Sequence, residues 1–212
     1  MASIPTLDSL DLNAVVRHLR AADPRLAELI RRAGPFRPDW RMNISPYQGL
    51  FRSIVYQQLS GKAAGTIFRR VLALYGDGAV PEPAQVLATS DDRLRGAGLS
   101  RNKTAAIRDL AARTLDGTVP DRATARRTPD QELIDRLVAV RGVGRWTAEM
   151  LLMFGLGRPD VLPVSDLGIR KGFQLTYGMK RLPAAGTIMR QGKAWAPYRT
   201  VASWYLWRAV EL

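Results

Sequence analysis

The chain contains no cysteine, and that absence removes several chemistries at once. No disulfide framework, thiol nucleophile, or zinc or iron–sulfur centre held by thiolates can be built from it. Histidine is nearly absent: His18 stands alone, on an expected N-terminal helix far in sequence from the motif described below, and it is not expected to be catalytic. No apolar run approaches the roughly 20 residues that span a bilayer, and the N-terminus lacks the basic-then-apolar order of a secretory signal. A cytoplasmic, nucleoid-associated location with no membrane partner is the expectation. No convincing strand pattern, low-complexity segment or internal repeat is found, so the fold should be all-α. Acidic residues are few: 19 Asp and Glu against 32 Lys and Arg leave a formal charge of +13, which points to a polyanionic partner, nucleic acid rather than membrane. With 212 residues and 46% hydrophobic content, the chain can bury a sizeable core as one domain or as two small lobes sharing a cleft.

The most informative stretch runs from Leu133 to Lys171. Leu133, Ile134, Leu137, Val138 and Val140 stand at helical spacing, and Thr128 to Gln131 reads as a capping box with Pro129 at the first helical position. Arg145 to Phe154 reads as a second helix, ended by Gly155 and Gly157. Between them lies Arg141-Gly142-Val143-Gly144. Two glycines around one aliphatic residue permit a tight turn, with the amides at the start of the following helix pointing outward, which is a seat for phosphate. An ordinary helical hairpin with a glycine turn is the competing reading of these residues alone.

Ahead of the hairpin, the pattern predicts helices over Leu7 to Ala22, from Pro24 to Gly34, from Ser45-Pro46 through Tyr56, and over Ala63 to Tyr75. Phe36 to Asn43 connects them. Two short pieces follow between Pro81 and Ala97, the second capped by Ser90, and then a helix capped by Ser100. Arg101, Asn102 and Lys103 crowd that first turn, where the helix dipole favours acids, so an anion is expected there. Asp116 to Thr128 reads as a polar, basic linker. After the hairpin come helices from Asp166 to about Tyr177, Thr187 to Lys193 and Pro197 to Glu211.

The longer pattern Leu137-x-x-Val140-x-Gly142-Val143-Gly144-x-x-Thr147-Ala148, the loop Gly155 to Pro163 and Asp166, twenty residues after Trp146, closely resemble the helix-hairpin-helix and Gly/Pro-rich-loop-plus-Asp signature of the base-excision DNA glycosylase superfamily. Ile54 to Ala64 and Gly98-Leu-Ser-x-x-Lys103 resemble the 3-methyladenine DNA glycosylase II branch. The resemblance covers Ser45 to the C-terminus. It implies one HhH-GPD domain over 1–212: a central helical lobe near 45–128 and a second lobe of 1–44 plus 129–212, with the active-site cleft between them. The short segment ahead of Ser45 leaves no room for the N-terminal α/β domain of some members, and the missing cysteines exclude the cluster that others carry.

For activity, the resemblance implies a monofunctional glycosylase of base excision repair. It would flip an alkylated base of the 3-methyladenine or 7-methylguanine type out of duplex DNA and hydrolyse its N-glycosidic bond. Asp166 would be the catalytic carboxylate, stabilising an oxocarbenium-like sugar or orienting water, and Asp160 a loop brace. Trp146 stands where bifunctional members carry a Schiff-base lysine, so no strand cleavage is expected. Trp146, Trp207, Tyr47 and Met150 are the expected base pocket. Gly142, Val143, Gly144, Arg145, Thr147, Arg101, Lys103 and Arg170 are the expected DNA contacts, with Gln58 as the wedge beside Leu59 and Gln57. The resemblance also implies a monovalent cation on the carbonyls of Arg141 and Val143. No cofactor is expected, and the enzyme should be a monomer. Two other readings stay open: a glycosylase for deaminated or mismatched bases, and a helix-hairpin-helix protein that binds DNA without catalysis.

Overall fold

A computed structural model describes residues 4–38, 40, 44–76 and 78–212; the parts of the expected 36–43 connector at 39 and 41–43 lie outside it. The described residues contain thirteen α-helices and no strand, as the sequence predicts. Side-chain caps account for most helix starts. Asp11 caps α1 (Leu12–Ala22), Asp23 caps α2 (Pro24–Ala33), and Ser45 with Gln48 forms the capping box of α3 (Pro46–Tyr56). Ser60 caps α4 (Gly61–Ala73), α5 spans Pro83–Ala88, Ser90 caps α6 (Asp91–Gly96), and Ser100 caps α7 (Arg101–Leu115). In each capped case an oxygen accepts from an amide that the first turn leaves unpaired.

Four local expectations change in the structure. Residues 116–128 are not all linker, because Asp121 caps a short helix, α8 (Arg122–Arg127). Thr128 then closes α8, donating its hydroxyl to the Thr124 carbonyl, so the expected capping box does not form; α9 (Asp130–Val138) starts after Pro129 with no side-chain cap. The helix after the hairpin is also shorter. α10 covers Arg145–Met150 and widens into a π-helical turn at Leu151–Gly155, which leaves the i→i+4 ladder before the glycines end it. The remaining helices are α11 (Leu167–Tyr177), α12 (Ala185–Gln191) and α13 (Arg199–Arg208). The expected first helix is split into a 3₁₀ turn at Leu7–Ser9 and α1.

The chain divides into two compact units. The first comprises Met1–Ile4 and Asn43–Leu151, and the second Pro5–Met42 and Leu152–Leu212. The hairpin helices therefore belong with the first unit, not with the terminal helices as the lobes read from sequence had it. The physical reason is α10 packing on α3: a Cβ at Gly49 would stand 2.3 Å from Leu151 Cδ1, so only glycine lets the two elements come together. In this unit α7 lies against α3 and α5, burying Leu50, Ile54, Val86, Ile107 and Leu110. Leu133, Ile134, Leu137 and Val140 are buried, as the spacing predicts; Val138 stays exposed. No helix among the described residues is long and apolar enough to cross a membrane.

The second unit packs α1, α2, α11 and α13 around Leu19, Leu26, Ile169, Phe173, Trp195 and Leu206. Its polar anchor is Asp23. Besides capping α2, this carboxylate accepts from Tyr177, from Gln191 Nε2 at 2.7 Å and from Trp195 Nε1 at 2.9 Å. Burial pushes its pKa up, but the hydrogen bonds from Tyr177, the Leu26 amide, Trp195 and Gln191 outweigh that and hold it below the ordinary carboxylate value. A depressed folded value stabilises the native state above the unfolded pKa of about 3.9 and loses that contribution as pH falls through the folded value. Asp23→Asn is therefore expected to be less stable than wild type near neutrality, with the gap closing below about pH 4; urea midpoints across pH measure it.

α11 and α13 cross at Gly172, where an added Cβ would lie 1.8 Å from the Leu206 carbonyl oxygen. Gly172→Ala must push the helices apart and should cost about 3 kcal/mol, readable as a drop in Tm. Gly186→Ala, whose new methyl would meet only the end of Arg190 at 4.0 Å, is the control and should be neutral or slightly stabilising.

Candidate functional site

The hairpin between α9 and α10 is a tight turn whose groups are mostly assigned. Val143 is buried, and its amide donates to the Val140 carbonyl at 3.0 Å. That corrects the expectation of three phosphate-binding amides, because Val143's is spent within the turn. Gly142 has φ +76, a conformation that L side chains rarely adopt, whereas Gly144 has an ordinary φ of −94 and open space around it. α7 fixes the turn from below: Asp109 Oδ2 accepts from the Arg141 amide at 2.8 Å and from Arg113 Nε at 2.9 Å. The Gly142 carbonyl accepts from Gln57 Nε2 at 3.0 Å.

Around this turn, the expected DNA contacts divide. Arg101 and Arg141 are exposed. Arg145 donates from Nε to the buried Glu149 at 2.9 Å and from Nη2 to Gln131 at 3.1 Å, so it bridges α10 to α9. Thr147 is buried. Trp146 is about half exposed at 48%, a large ring on the surface immediately after the hairpin, and Met150 one turn later is half-buried. Tyr47, expected in the base pocket, is buried in the first unit with its hydroxyl donating to the Pro81 carbonyl at 2.8 Å, which makes it a core residue.

The turn between α3 and α4 carries the expected wedge. Gln58 has φ +57 and is the only described non-glycine residue with a positive φ. Leu59 beside it is exposed. A non-glycine residue in the left-handed region costs about 1–3 kcal/mol and persists only where its surroundings impose it. Lys103 supplies part of that surrounding. Its ammonium donates to the Val55 carbonyl at 2.6 Å and the Gln57 carbonyl at 2.8 Å, and burial lowers its pKa. The ammonium expected to reach a phosphate thus meets two backbone carbonyls in this structure.

In the second unit, Asp166 is the N-cap of α11. Its Oδ1 accepts from the Ile169 amide at 2.8 Å and from Trp207 Nε1 at 2.9 Å. The same oxygen thus holds the carboxylate to a helix end and to a neighbouring indole. Gly168 makes the approach possible, since a Cβ there would stand 2.7 Å from the Trp207 ring. Phe154 lies with its ring centre 5.7 Å from Trp207, and Trp40 lies 4.9 Å from Phe154. Sequence reasoning missed both: Phe154 read as the end of a helix and Trp40 as part of a connector, and only the π-helical turn brings Phe154 to Trp207. Asp160 is the loop brace expected, in a two-point ion pair with Arg199 at 2.7 Å for each contact. The Thr200 hydroxyl donates to the Arg158 carbonyl and accepts from the Val161 amide, fixing the same loop. Arg170 donates to the Pro183 carbonyl at 3.1 Å, and His18 Nε2 bonds the Ala196 carbonyl at 3.0 Å.

For the cation, the hydrogen bonds seen at the hairpin among the described residues fall on the Val140 and Gly142 carbonyls and not on those of Arg141 and Val143. Carbonyl oxygens of that kind suit a hard monovalent ion. No cluster of three His, Asp or Glu suited to a metal occurs among the described residues.

An all-helical chain with this hairpin, a braced Gly/Pro loop and an aspartate at the next helix start defines a known class of DNA repair protein. The chain belongs to the HhH-GPD superfamily of base excision DNA repair proteins, whose family model matches residues 51–197. It is 36% identical over 196 residues to DNA-3-methyladenine glycosylase 1 of Schizosaccharomyces pombe, covering 92% of this chain and 86% of that protein. Among solved structures it is similar to the S. pombe 3-methyladenine DNA glycosylase Mag1 in complex with abasic DNA, with TM-score 0.82 at 35% identity over 94% of this chain and 97% of that one. A DNA-3-methyladenine glycosidase from Bacillus halodurans superposes with TM-score 0.85 at 42% identity, over 92% of this chain and 88% of the other.

The two hairpin glycines should respond differently to substitution. Gly142→Ala places a side chain in the left-handed region and is expected to cost about 1–2 kcal/mol, while Gly144→Ala should be close to neutral in thermal melts.

Proposed function

We propose that this protein is a monofunctional DNA glycosylase that hydrolyses the N-glycosidic bond of alkylated bases in duplex DNA and leaves an abasic site. The observation that carries the reading is Asp166, a carboxylate pinned through one oxygen by a helix N-terminus and an indole N–H. Fixed charge placed where positive charge develops stabilises a transition state without reorganisation at the moment of reaction. Breaking the bond to the base makes the sugar oxocarbenium-like; Asp166 would stabilise that cation and orient the water that adds to C1′, and the departing base takes the bonding electrons. The names of the similar proteins support alkylated bases as the substrate class.

The reading without lyase chemistry is supported by Trp146, which stands two residues after Gly144 at the place of the Schiff-base lysine of bifunctional members. Trp146, Met150 and Trp207 are the residues proposed to meet the base; a desolvated aromatic face favours a cationic alkylpurine by about 1–2 kcal/mol. The amides of Gly142 and Gly144 would meet a backbone phosphate, with Arg101 and Arg141 adding long-range attraction, and such contacts carry no sequence code. The Arg141 and Val143 carbonyls would hold a monovalent cation, adding positive charge beside that phosphate.

Purified protein should release free 3-methyladenine from methylated duplex DNA, with strand breaks appearing only after hot alkali. Asp166→Asn should lower release by at least about a hundredfold while keeping affinity for abasic DNA. Unchanged release in that variant would remove Asp166 from the chemistry, and breaks without alkali would mean that an amine elsewhere acts as a lyase. Tight binding with no release from methylated, deaminated or mismatched DNA would leave a binding protein.

A further inference from the structure

We propose that Lys103 is a positioning residue that holds the α3–α4 turn with Gln58 extended for insertion into the DNA stack, and that Gln57 ties this turn to the phosphate-binding hairpin. The proposal rests on the wedge reading of Gln58 made above. It starts from the end of α3, whose last carbonyls lack intrahelical partners. Lys103, 46 residues beyond Gln57, brings one ammonium within 2.6 Å of the Val55 oxygen and 2.8 Å of the Gln57 oxygen. Those two carbonyls bracket the point where the chain leaves the helix, and the next residue, Gln58, is the one described non-glycine residue with a positive φ.

The second tie is neutral. Gln57 Nε2 donates to the Gly142 carbonyl at 3.0 Å, across 85 residues of sequence. Gly142 is itself held through the Arg141 amide on Asp109 of α7, the same helix that carries Lys103 two turns earlier. One rigid helix therefore sets the position of both turns, and a side chain joins them directly. Both members lie in the first unit. A lysine whose ammonium is occupied by two backbone oxygens and partly desolvated is poorly placed to neutralise a phosphate, although its position in a basic first turn suggests that role from sequence. Its chemistry fits a compact cation that cross-braces a turn.

The test uses the full-length protein on duplex DNA carrying an abasic-site analogue with 2-aminopurine opposite, whose fluorescence rises when a side chain enters the stack and unstacks it. Because the analogue needs no bond cleavage, the signal is independent of catalysis. Lys103→Met should lower the fluorescence rise by about tenfold, the population lost when a left-handed residue is released from its surroundings. Its slope of log affinity against log salt should match wild type, whereas loss of a phosphate contact would flatten the slope by about 0.9. Lys103→Arg keeps the charge but replaces a single tetrahedral nitrogen by a planar fork, so the rise should fall in it too. Gln58→Ala should abolish most of the rise, and adding Lys103→Met to it should change nothing further. Thermal melts of each variant confirm folding, and Lys103→Arg carries the test if the methionine variant is unstable.

A flattened slope in Lys103→Met with wild-type insertion in Lys103→Arg would make Lys103 a phosphate contact and overturn the proposal. Losses that add to those of Gln58→Ala, or a full signal in Gln58→Ala itself, would overturn it as well. Insertion lost in both lysine variants, in a protein that releases no base from methylated DNA, would uphold the positioning role while removing the catalytic reading.

Discussion

Helix ends are the constraint on which this molecule depends. The longest described helix has fifteen residues and several have six, so a large share of the backbone lies within a turn of a terminus, where amides and carbonyls have no partner inside the helix. The sequence meets that demand with short oxygen-bearing side chains at Asp11, Asp23, Ser45, Ser60, Ser90, Ser100, Asp121 and Asp166. Two of these caps serve a second purpose. Asp23 gathers Tyr177, Gln191 and Trp195 into the centre of the second unit, and Asp166 takes the indole of Trp207 and becomes the candidate catalytic group. Lys103 does the equivalent at a C-terminus, meeting carbonyls at the end of α3. Structure and chemistry share the same few charged atoms.

How much of this could be read from the chain depends on how far apart the interacting residues are. Caps lie within three residues of the amides they bind, and those at Ser45, Ser90 and Ser100 were legible for that reason. The buried positions of α9 were legible from period alone. The Thr128 box failed because α8 claimed the threonine first, and α8 itself is a single turn whose cap, Asp121, sits in a stretch that reads as basic linker. Nothing local announces the π-helical turn that brings Phe154 to Trp207, nor the 46- to 85-residue ties made by Lys103 and Gln57. The first turn of α7 illustrates the difference: three polar residues at a helix start suggested an anion, and the tertiary fold supplied two carbonyls instead. Tyr47 shows the same limit, since an aromatic at that spacing serves core or pocket equally well until its hydroxyl is found on Pro81.

The hairpin's membership in the first unit also has a physical origin that pattern could not show. Gly49 is an unremarked glycine within α3, yet its missing side chain is what lets Leu151 settle and brings α10 against that helix. The turn of Gln58, the hairpin and Trp146 are consequently parts of one unit, while Asp166, Trp207 and Phe154 are parts of the other. Within each unit the critical atoms are fixed by several bonds from different helices.

The crossing at Gly172 has a bearing on how this protein would fail. Leu206, whose carbonyl occupies the space a side chain would need, immediately precedes Trp207, and Trp207 is the indole that steadies Asp166. A small bulge at residue 172 therefore disturbs the support of the carboxylate along with the helix packing. Damage there would be felt twice, in the packing of α11 on α13 and in the anchorage of the Asp166 carboxylate, so a loss of stability and a loosened aspartate would arrive together from one glycine.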